Sequence, residues 1–237
     1  MKKNLPPLDI PAPSRQAREA AETLLRGFHY QDLREKHLIA CDFDAARGAA
    51  TKASGYMSQS FKIDFPTVPL DNAERAGSLF MQALFLQDEI ENRAEFYDCL
   101  SGPGPVPEDT FVNVAEAVPG MSINDDPRWE LVRELLEEVC EETQIDDEYA
   151  VLHARFWRYH GQRRDGWRSI ARRAHRIKLA RMVPNANASD IDKLSEYFVA
   201  GVDNHDTWSR EDAEQDIEST IDIVARYYQR IFELREA

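Results

Sequence analysis

Oxygen-bearing side chains recur at helical spacing in two places of this 237-residue chain. Asp88 and Glu91 directly follow a strongly apolar run. Asp203, Thr207 and Glu211 stand at successive intervals of four residues. On a continuous helix the members of each set share one face, and hard oxygen donors of this kind suit Mg²⁺. The spacing therefore predicts a magnesium site. The alternative interpretation is that each set is simply a solvated helix end.

Residues 151–182 form a basic block that holds ten Arg or Lys and one acidic residue. Its interleaved aromatic residues are Phe156, Trp157, Tyr159 and Trp167. Arginine suits planar recognition of phosphate, so the block could bind diphosphate or nucleic acid. Residues 63–150 hold 22 acidic and four basic residues, so internal ion pairing is the third possibility. Arg155 and His160 also have the R-x4-H spacing of HEPN ribonucleases, which makes a HEPN-like RNA-binding or ribonuclease protein one alternative.

Common signatures of nucleotide and zinc sites are missing from the sequence. There is no Gly-rich phosphate loop and no H-E-x-x-H motif. Cys41, Cys99 and Cys140 are widely spaced, which argues against a cysteine-based zinc site and favours a reducing compartment. The chain has no apolar run long enough for a membrane span, and its first residues lack the apolar core of a signal peptide. We therefore expect a cytoplasmic protein without a membrane span.

The elements that must position these side chains are helical by pattern. Apolar residues make up 43% of the chain and recur at helical spacing, and no alternating strand pattern is found. The pattern predicts an all-α fold, a single-domain helical bundle or barrel. Residues 1–14 are typical of an extended, Pro-broken arm, and residues 15–237 are expected to form one domain with a loop break near 101–110.

Capping and breaking residues predict the helix bounds. The predicted helices are residues 14–27, 33–53, 71–100, 128–142, 147–159, 164–182, 189–202 and 209–237. Ser14 and Asp126 are expected to begin helices, Gly27 to end one, and Ser189 to open a capping box. A helix start at Ser209 would separate Thr207 from Glu211.

Four short segments together resemble the bacterial class I terpene synthases. IPAPSRQ at 10–16 is similar to the arm that opens these enzymes, and MQALFLQDEIEN at 81–92 to their apolar helix with an aspartate-rich end. EYAVLHAR at 148–155 looks like their diphosphate-sensing segment, and DNHDTWSRE at 203–211 like their second metal motif. The chain departs from the family at Gln87, where an aspartate is common, and in lacking the family's late C-terminal helices.

The resemblance implies a terpene-synthase-like fold and a carbon–oxygen lyase that uses Mg²⁺ to ionise and cyclise an isoprenyl diphosphate. The implied metal ligands are Asp88, Glu91, Asp203, Thr207 and Glu211. The implied diphosphate ligands are Arg155, Arg158 and Arg210. The implied apolar pocket consists of Phe80, Phe85, Phe156 and Trp157, whose ring faces would stabilise a carbocation. The expected partner is isoprenyl diphosphate or another apolar small molecule rather than nucleic acid, and a homodimer is left open.

A TetR-like transcriptional regulator that binds a ligand is the other alternative, because the helical pattern of residues 166–233 resembles that of such a ligand domain. That class needs an N-terminal helix-turn-helix. Residues 43–61 fit one poorly, since Arg47 and Lys52 would take core positions. Residues 71–85 fit poorly as well, because the recognition helix would be almost wholly apolar.

Overall fold

The computed structural model describes residues 12–93, 96, 122–162, 164–205 and 217–237. Within these ranges the chain forms eight α-helices and no strand, which confirms the all-α prediction. No helix in this part of the chain is long and apolar enough to cross a membrane. The predicted break near 101–110 and residues 1–11 of the predicted arm lie outside the described residues.

The helices follow one another with short turns where the chain between them is described. Their bounds are α1 Arg15–Ile39, α2 Phe43–Asp64, α3 Leu70–Glu91, α4 Arg128–Thr143, α5 Glu148–Gly161, α6 Trp167–Met182, α7 Ala188–His205 and α8 Ile217–Glu236. A short 3-10 helix, Ile123–Asp125, precedes α4.

The first turn between two described helices lies at residues 40–42, so the predicted helix end at Gly27 is wrong. α1 runs through Gly27 because this glycine packs against α2, where an added Cβ would lie 3.4 Å from the Met57 side chain. Cys41 adopts a positive φ of 57° in the turn, and the Asp42 carboxylate caps α2. The predicted helix 33–53 is therefore wrong as well, since the turn divides it and α2 continues to Asp64.

Local capping signals were more informative than the glycine. Ser14 caps α1 as predicted, and the Asp126 carboxylate accepts the first backbone N–H of α4 at 3.0 Å. Asn187, rather than the predicted Ser189, caps α7 by accepting the Asp190 N–H at 3.0 Å. α3 begins after Pro69, one residue before the predicted start at residue 71.

Cross-helix contacts show which helices finish together. Asp88 near the end of α3 accepts hydrogen bonds from Gln31 of α1, and Glu91 lies against Gly161 in the last turn of α5. The ring of Phe156, also in α5, stacks on Trp167 at the start of α6 with 6.0 Å between centroids. α1, α3 and α5 therefore end, and α6 begins, at one end of the bundle, which we call the α3 exit.

Ion pairs orient the last helices. Arg172 and Arg176 of α6 pair with Glu196 and Asp192 of α7 at 2.6 and 3.1 Å, so the two helices are antiparallel and α7 also finishes at the α3 exit. α8 packs antiparallel to α1. The contacts that fix this arrangement join Ser14 to Gln229 at 3.0 Å and Arg18 to Asp222 at 3.1 Å.

α3 is the centre of the bundle, as its apolar sequence leads one to expect. It is buried on nearly all sides and carries thirteen buried residues out of 22. Gly77 allows its close approach to α2, because a Cβ at this position would lie 2.5 to 2.7 Å from backbone atoms of Met57 and Ser58. The last turns of this helix therefore bring charged side chains to the α3 exit from inside the core.

Candidate anion site

Two buried ion pairs lie at the α3 exit. The Arg34 guanidinium donates to Glu89 Oε1 at 2.5 Å, with 2% and 0% of the two side chains exposed. Arg128 donates to Asp126 at 2.8 Å, and both side chains are fully buried. Each charge has lost its water, so it depends on its partner for stabilisation. The carboxylates of Glu89 and Asp126 are therefore already paired with arginines of the same chain.

Asp88, the first predicted metal ligand, is also buried, with 8% of the residue exposed. Both of its oxygens accept hydrogen bonds from the Gln31 amide, at 3.1 and 3.0 Å. Burial raises the pKa of Asp88 well above its ordinary value of 3.8. A carboxyl group must be ionised to bind a divalent cation, so this environment works against Mg²⁺.

Replacing Asp88 by asparagine should stabilise the protein at neutral pH, because the variant keeps a polar partner for Gln31 without a buried charge. The native pKa is raised, so the native state favours the protonated form. Protonated Asp88 therefore contributes to the stability of the native state. This contribution is complete below about pH 4 and is lost as pH rises through the raised pKa. Urea unfolding between about pH 4 and pH 8 should show the gap between Asp88→Asn and wild type widening with pH.

The exposed Asp44 provides the matched control, since 97% of its side chain meets water. As an exposed surface substitution, Asp44→Asn should change the free energy of unfolding by less than about 0.5 kcal/mol. A constant gap between Asp88→Asn and wild type across the series would contradict the assignment of a raised pKa to Asp88.

Of the other predicted metal ligands, the structure describes the side chain of Glu91 alone. Glu91 accepts a hydrogen bond from the Gln87 amide at 3.2 Å. The described residues contain no group of three or more His, Cys, Asp or Glu that could hold a metal ion. Asp203 lies in the last turns of α7, although its side chain is not described. Thr207, Arg210 and Glu211 fall outside the described residues altogether.

The four predicted pocket residues pack into the core. Phe80, Phe85, Phe156 and Trp157 are all buried members of the main hydrophobic cluster. Phe80 and Trp157 lie 5.5 Å apart by ring centroid. Buried His153 contacts Trp157 edge-on at 4.4 Å, and burial lowers its pKa to about 3. The sequence reasoning missed this uncharged histidine among the aromatic rings.

Arg155 and Arg158, the predicted diphosphate ligands on α5, have different surroundings. Arg158 is half-buried and donates to the backbone carbonyl of Asn124. Arg155 is exposed and lies over the Tyr159 ring, 5.1 Å from the centroid. It also donates to the Tyr159 hydroxyl at 3.3 Å.

A second arginine covers the same tyrosine. The Arg164 guanidinium lies 5.4 Å from the Tyr159 centroid, and its backbone N–H bonds to the Tyr159 carbonyl at 2.8 Å. We call Arg155, Tyr159 and Arg164 the arginine–tyrosine cluster. Neither of its arginines forms an ion pair with a carboxylate in the part of the chain that the structure describes. Sequence reasoning identified Arg155 as a site residue, noted Tyr159 only as an aromatic residue of the basic block, and missed Arg164.

Four other members of the basic block form ion pairs within the fold. The ion pairs are Arg172–Glu196, Arg173–Glu148, Arg176–Asp192 and Lys178–Asp64. Arg181 instead donates to the Thr143 carbonyl at 2.9 Å. Internal ion pairs therefore account for four of the ten basic residues of the block, and the two arginines of the arginine–tyrosine cluster lie outside these pairs.

The electrostatics of the cluster favour an anion. The hydrogen bond and positive charge of Arg155, with the charge of Arg164, lower the pKa of Tyr159. α6 begins three residues after Arg164, and no side chain caps its N-terminus among the described residues. Its N-cap, Gly166, has a φ of 88°, and an uncapped helix start adds partial positive charge. The two guanidiniums beside Tyr159 and this helix start therefore add positive charge at neighbouring positions of the chain.

The two alternative interpretations find little support in the geometry. His160 meets the Trp167 ring edge-on at 4.6 Å, whereas Arg155 lies exposed on the Tyr159 ring, so the two side chains have different ring partners. The two segments tested as helix-turn-helix motifs lie within α2 and α3, and each is a single uninterrupted helix.

No family model, curated protein or solved structure matches this chain.

Proposed function

We propose that the protein binds a small phosphorylated molecule at the arginine–tyrosine cluster. The observation that carries this proposal is that Arg155 and Arg164 converge on one phenol ring without a described carboxylate partner. Guanidinium groups form paired, charge-assisted hydrogen bonds with phosphate oxygens. The ring holds both groups in place, so less conformational entropy is lost when an anion binds.

The charge of the whole chain favours a small ligand over a polyanion. The net charge is −14 and the sequence pI is about 4.9, so the field of the protein as a whole repels nucleic acid. Two arginines are enough for one phosphate or diphosphate group, but they provide few of the phosphate contacts that a bound nucleic acid would need.

Mg²⁺-dependent ionisation of an isoprenyl diphosphate is the second proposal. Its support is the resemblance described above, together with α3, α5 and α7 all finishing at the α3 exit. If the metal binds there, Asp88, Glu91 and Asp203 would be its ligands and Arg155 would hold the diphosphate. The surroundings of Asp88 do not fit this role well, because its carboxyl is buried and bonded to Gln31. We therefore place phosphate recognition first and assign no catalytic step to a metal.

Inorganic pyrophosphate should raise the melting temperature of the protein, since a ligand that binds only the native state stabilises it. The double substitution Arg155→Gln and Arg164→Gln should weaken pyrophosphate binding at least about tenfold, because it removes charged hydrogen bonds. Calorimetric titration and thermal melts, each with and without Mg²⁺, would measure this change. A rise in the melting temperature that pyrophosphate causes only in the presence of Mg²⁺ would favour the second proposal.

The matched control is Arg173→Gln with Arg176→Gln, which removes the same charge from the next helix. Both arginines are exposed and paired to carboxylates, so this variant should bind pyrophosphate like wild type. Equal weakening in the two double variants would mean that only net charge matters. Absence of binding by wild type at millimolar pyrophosphate would contradict the proposed function, and tighter binding of single-stranded RNA would favour the nucleic-acid alternative.

A further inference from the structure

Two arginines converge on one carboxylate at the start of α4. Arg128 donates to both oxygens of Asp126, from Nε to Oδ1 at 3.0 Å and from Nη2 to Oδ2 at 2.8 Å. Arg93, two residues after the end of α3, places its Nη1 3.5 Å from the same Oδ2. We call these three residues the Arg93–Asp126–Arg128 group.

This group holds more positive than negative charge. Burial alone raises the pKa of Asp126, but the hydrogen bonds and charge of Arg128, with the charge of Arg93, bring it below its ordinary value of 3.8. The carboxylate is therefore ionised at neutral pH, and both arginines are protonated. In the described part of the chain, no second carboxylate forms an ion pair with either arginine. One positive charge is left in excess.

The excess charge is largely shielded from water. The side chains of Asp126 and Arg128 are fully buried, and 16% of the Arg93 side chain is exposed. The buried Nη1 of Arg128 has no hydrogen-bond partner among the described residues, and neither does Nη1 of Arg93. Unpartnered buried donors and uncompensated buried charge both destabilise a fold. An anion that accepts hydrogen bonds from these two nitrogens would relieve both.

We propose that a small monovalent oxyanion, of the size of formate or nitrate, binds between Arg93 and Arg128. One negative charge balances the group, and the oxygens of such an anion can accept charge-assisted hydrogen bonds from both arginines. The N-terminus of α4, to which Asp126 and Arg128 belong, adds partial positive charge.

The way into this site limits the size of the ligand. Arg128 has no exposed surface, so the anion enters on the side of the partly exposed Arg93. A bulky carboxylate could not bring its oxygens to both guanidiniums. The site shares no residue with the arginine–tyrosine cluster, so this inference does not depend on the proposed function.

Thermal melts of the intact protein test the proposal when formate replaces gluconate, a bulky monocarboxylate, at constant ionic strength in a zwitterionic buffer. Formate should raise the melting temperature with a saturating concentration dependence, since a ligand of the native state stabilises it. Nitrate, which is also small and planar, should act in the same way. Arg93→Gln should weaken formate binding at least about tenfold, because it removes a charged hydrogen bond. Arg93→Met should do the same if the glutamine variant fails to fold.

The matched control is Arg75→Gln, which removes the same charge from an exposed arginine paired with Glu138 and Glu142. It should keep the wild-type response to formate. An equal response in wild type and both Arg93 variants would be a general salt effect and would overturn the proposal. Absence of any response in wild type across the titration would overturn it as well.

A second control separates this site from the arginine–tyrosine cluster. The double variant Arg155→Gln and Arg164→Gln should respond to formate like wild type. Loss of the formate response in that variant would place the anion at the arginine–tyrosine cluster and would overturn the present proposal. Failure of pyrophosphate to bind would contradict the proposed function alone.

Discussion

Replacement of Glu89 by alanine should lower the free energy of unfolding by about 3–5 kcal/mol. The variant leaves the Arg34 guanidinium charged inside the protein, where only 2% of its side chain reaches water. The Phe85 ring, 4.4 Å from the guanidinium, cannot replace a carboxylate in this environment. Equilibrium urea unfolding, followed by circular dichroism, would measure the loss.

Two comparison variants make this result specific to burial. Glu19→Ala removes a surface ion pair with Arg15, whose side chains are 60% and 92% exposed, and should cost less than about 1 kcal/mol. Glu89→Leu combined with Arg34→Met replaces the buried charges by apolar groups and should recover most or all of the stability. If Glu89→Ala alone lowered the free energy of unfolding no more than Glu19→Ala does, the Arg34–Glu89 pair would be hydrated.

Gly77→Ala should destabilise the protein by about 3 kcal/mol, the upper end of the usual cost of overpacking. The added methyl group would lie 2.5 Å from the Ser58 Cα and 2.7 Å from the Met57 carbonyl oxygen. Both atoms belong to the backbone of α2, so no rotamer change can relieve the overlap and the two helices must separate. Thermal and urea unfolding would both report the change.

Gly48→Ala is the matched control, because Gly48 is an exposed helical glycine with no atom near its missing side chain. Alanine suits a helix interior better than glycine, so this variant should gain about 0.5–1 kcal/mol. If Gly77→Ala also stabilised the protein, the close approach of α2 and α3 would be wrong.

The contrast between these glycines explains what the sequence could predict of the fold. Ser14 and Asp126 act on backbone groups within a few residues, so their capping roles follow from local sequence. A glycine that ends a helix and a glycine that admits a neighbouring helix share the same missing side chain. Gly27 belongs to the second kind because Met57, thirty residues away, packs against it.

The candidate site divides in a similar way. The positive charge of the block that contains Arg155 was visible from composition alone. The contact between Arg164 and Tyr159 depends on how the chain turns after α5, and no spacing rule encodes that turn. Asp88 has the residue type and spacing of a metal ligand, but Gln31 of another helix takes both of its oxygens. Its burial therefore follows from tertiary packing, which the sequence pattern did not reveal.

The packing of α8 against α1 has a consequence for synthesis of the protein. Arg18 and Asp222, which join the two helices, are 204 residues apart in the chain, an interval that a ribosome takes about 10–40 s to translate. During this time the first turns of α1 lack their contacts with α8. The buried residues of those turns, Ala17, Ala20 and Ala21, are all small. The nascent chain therefore exposes little apolar surface there, which limits its tendency to aggregate before α8 emerges.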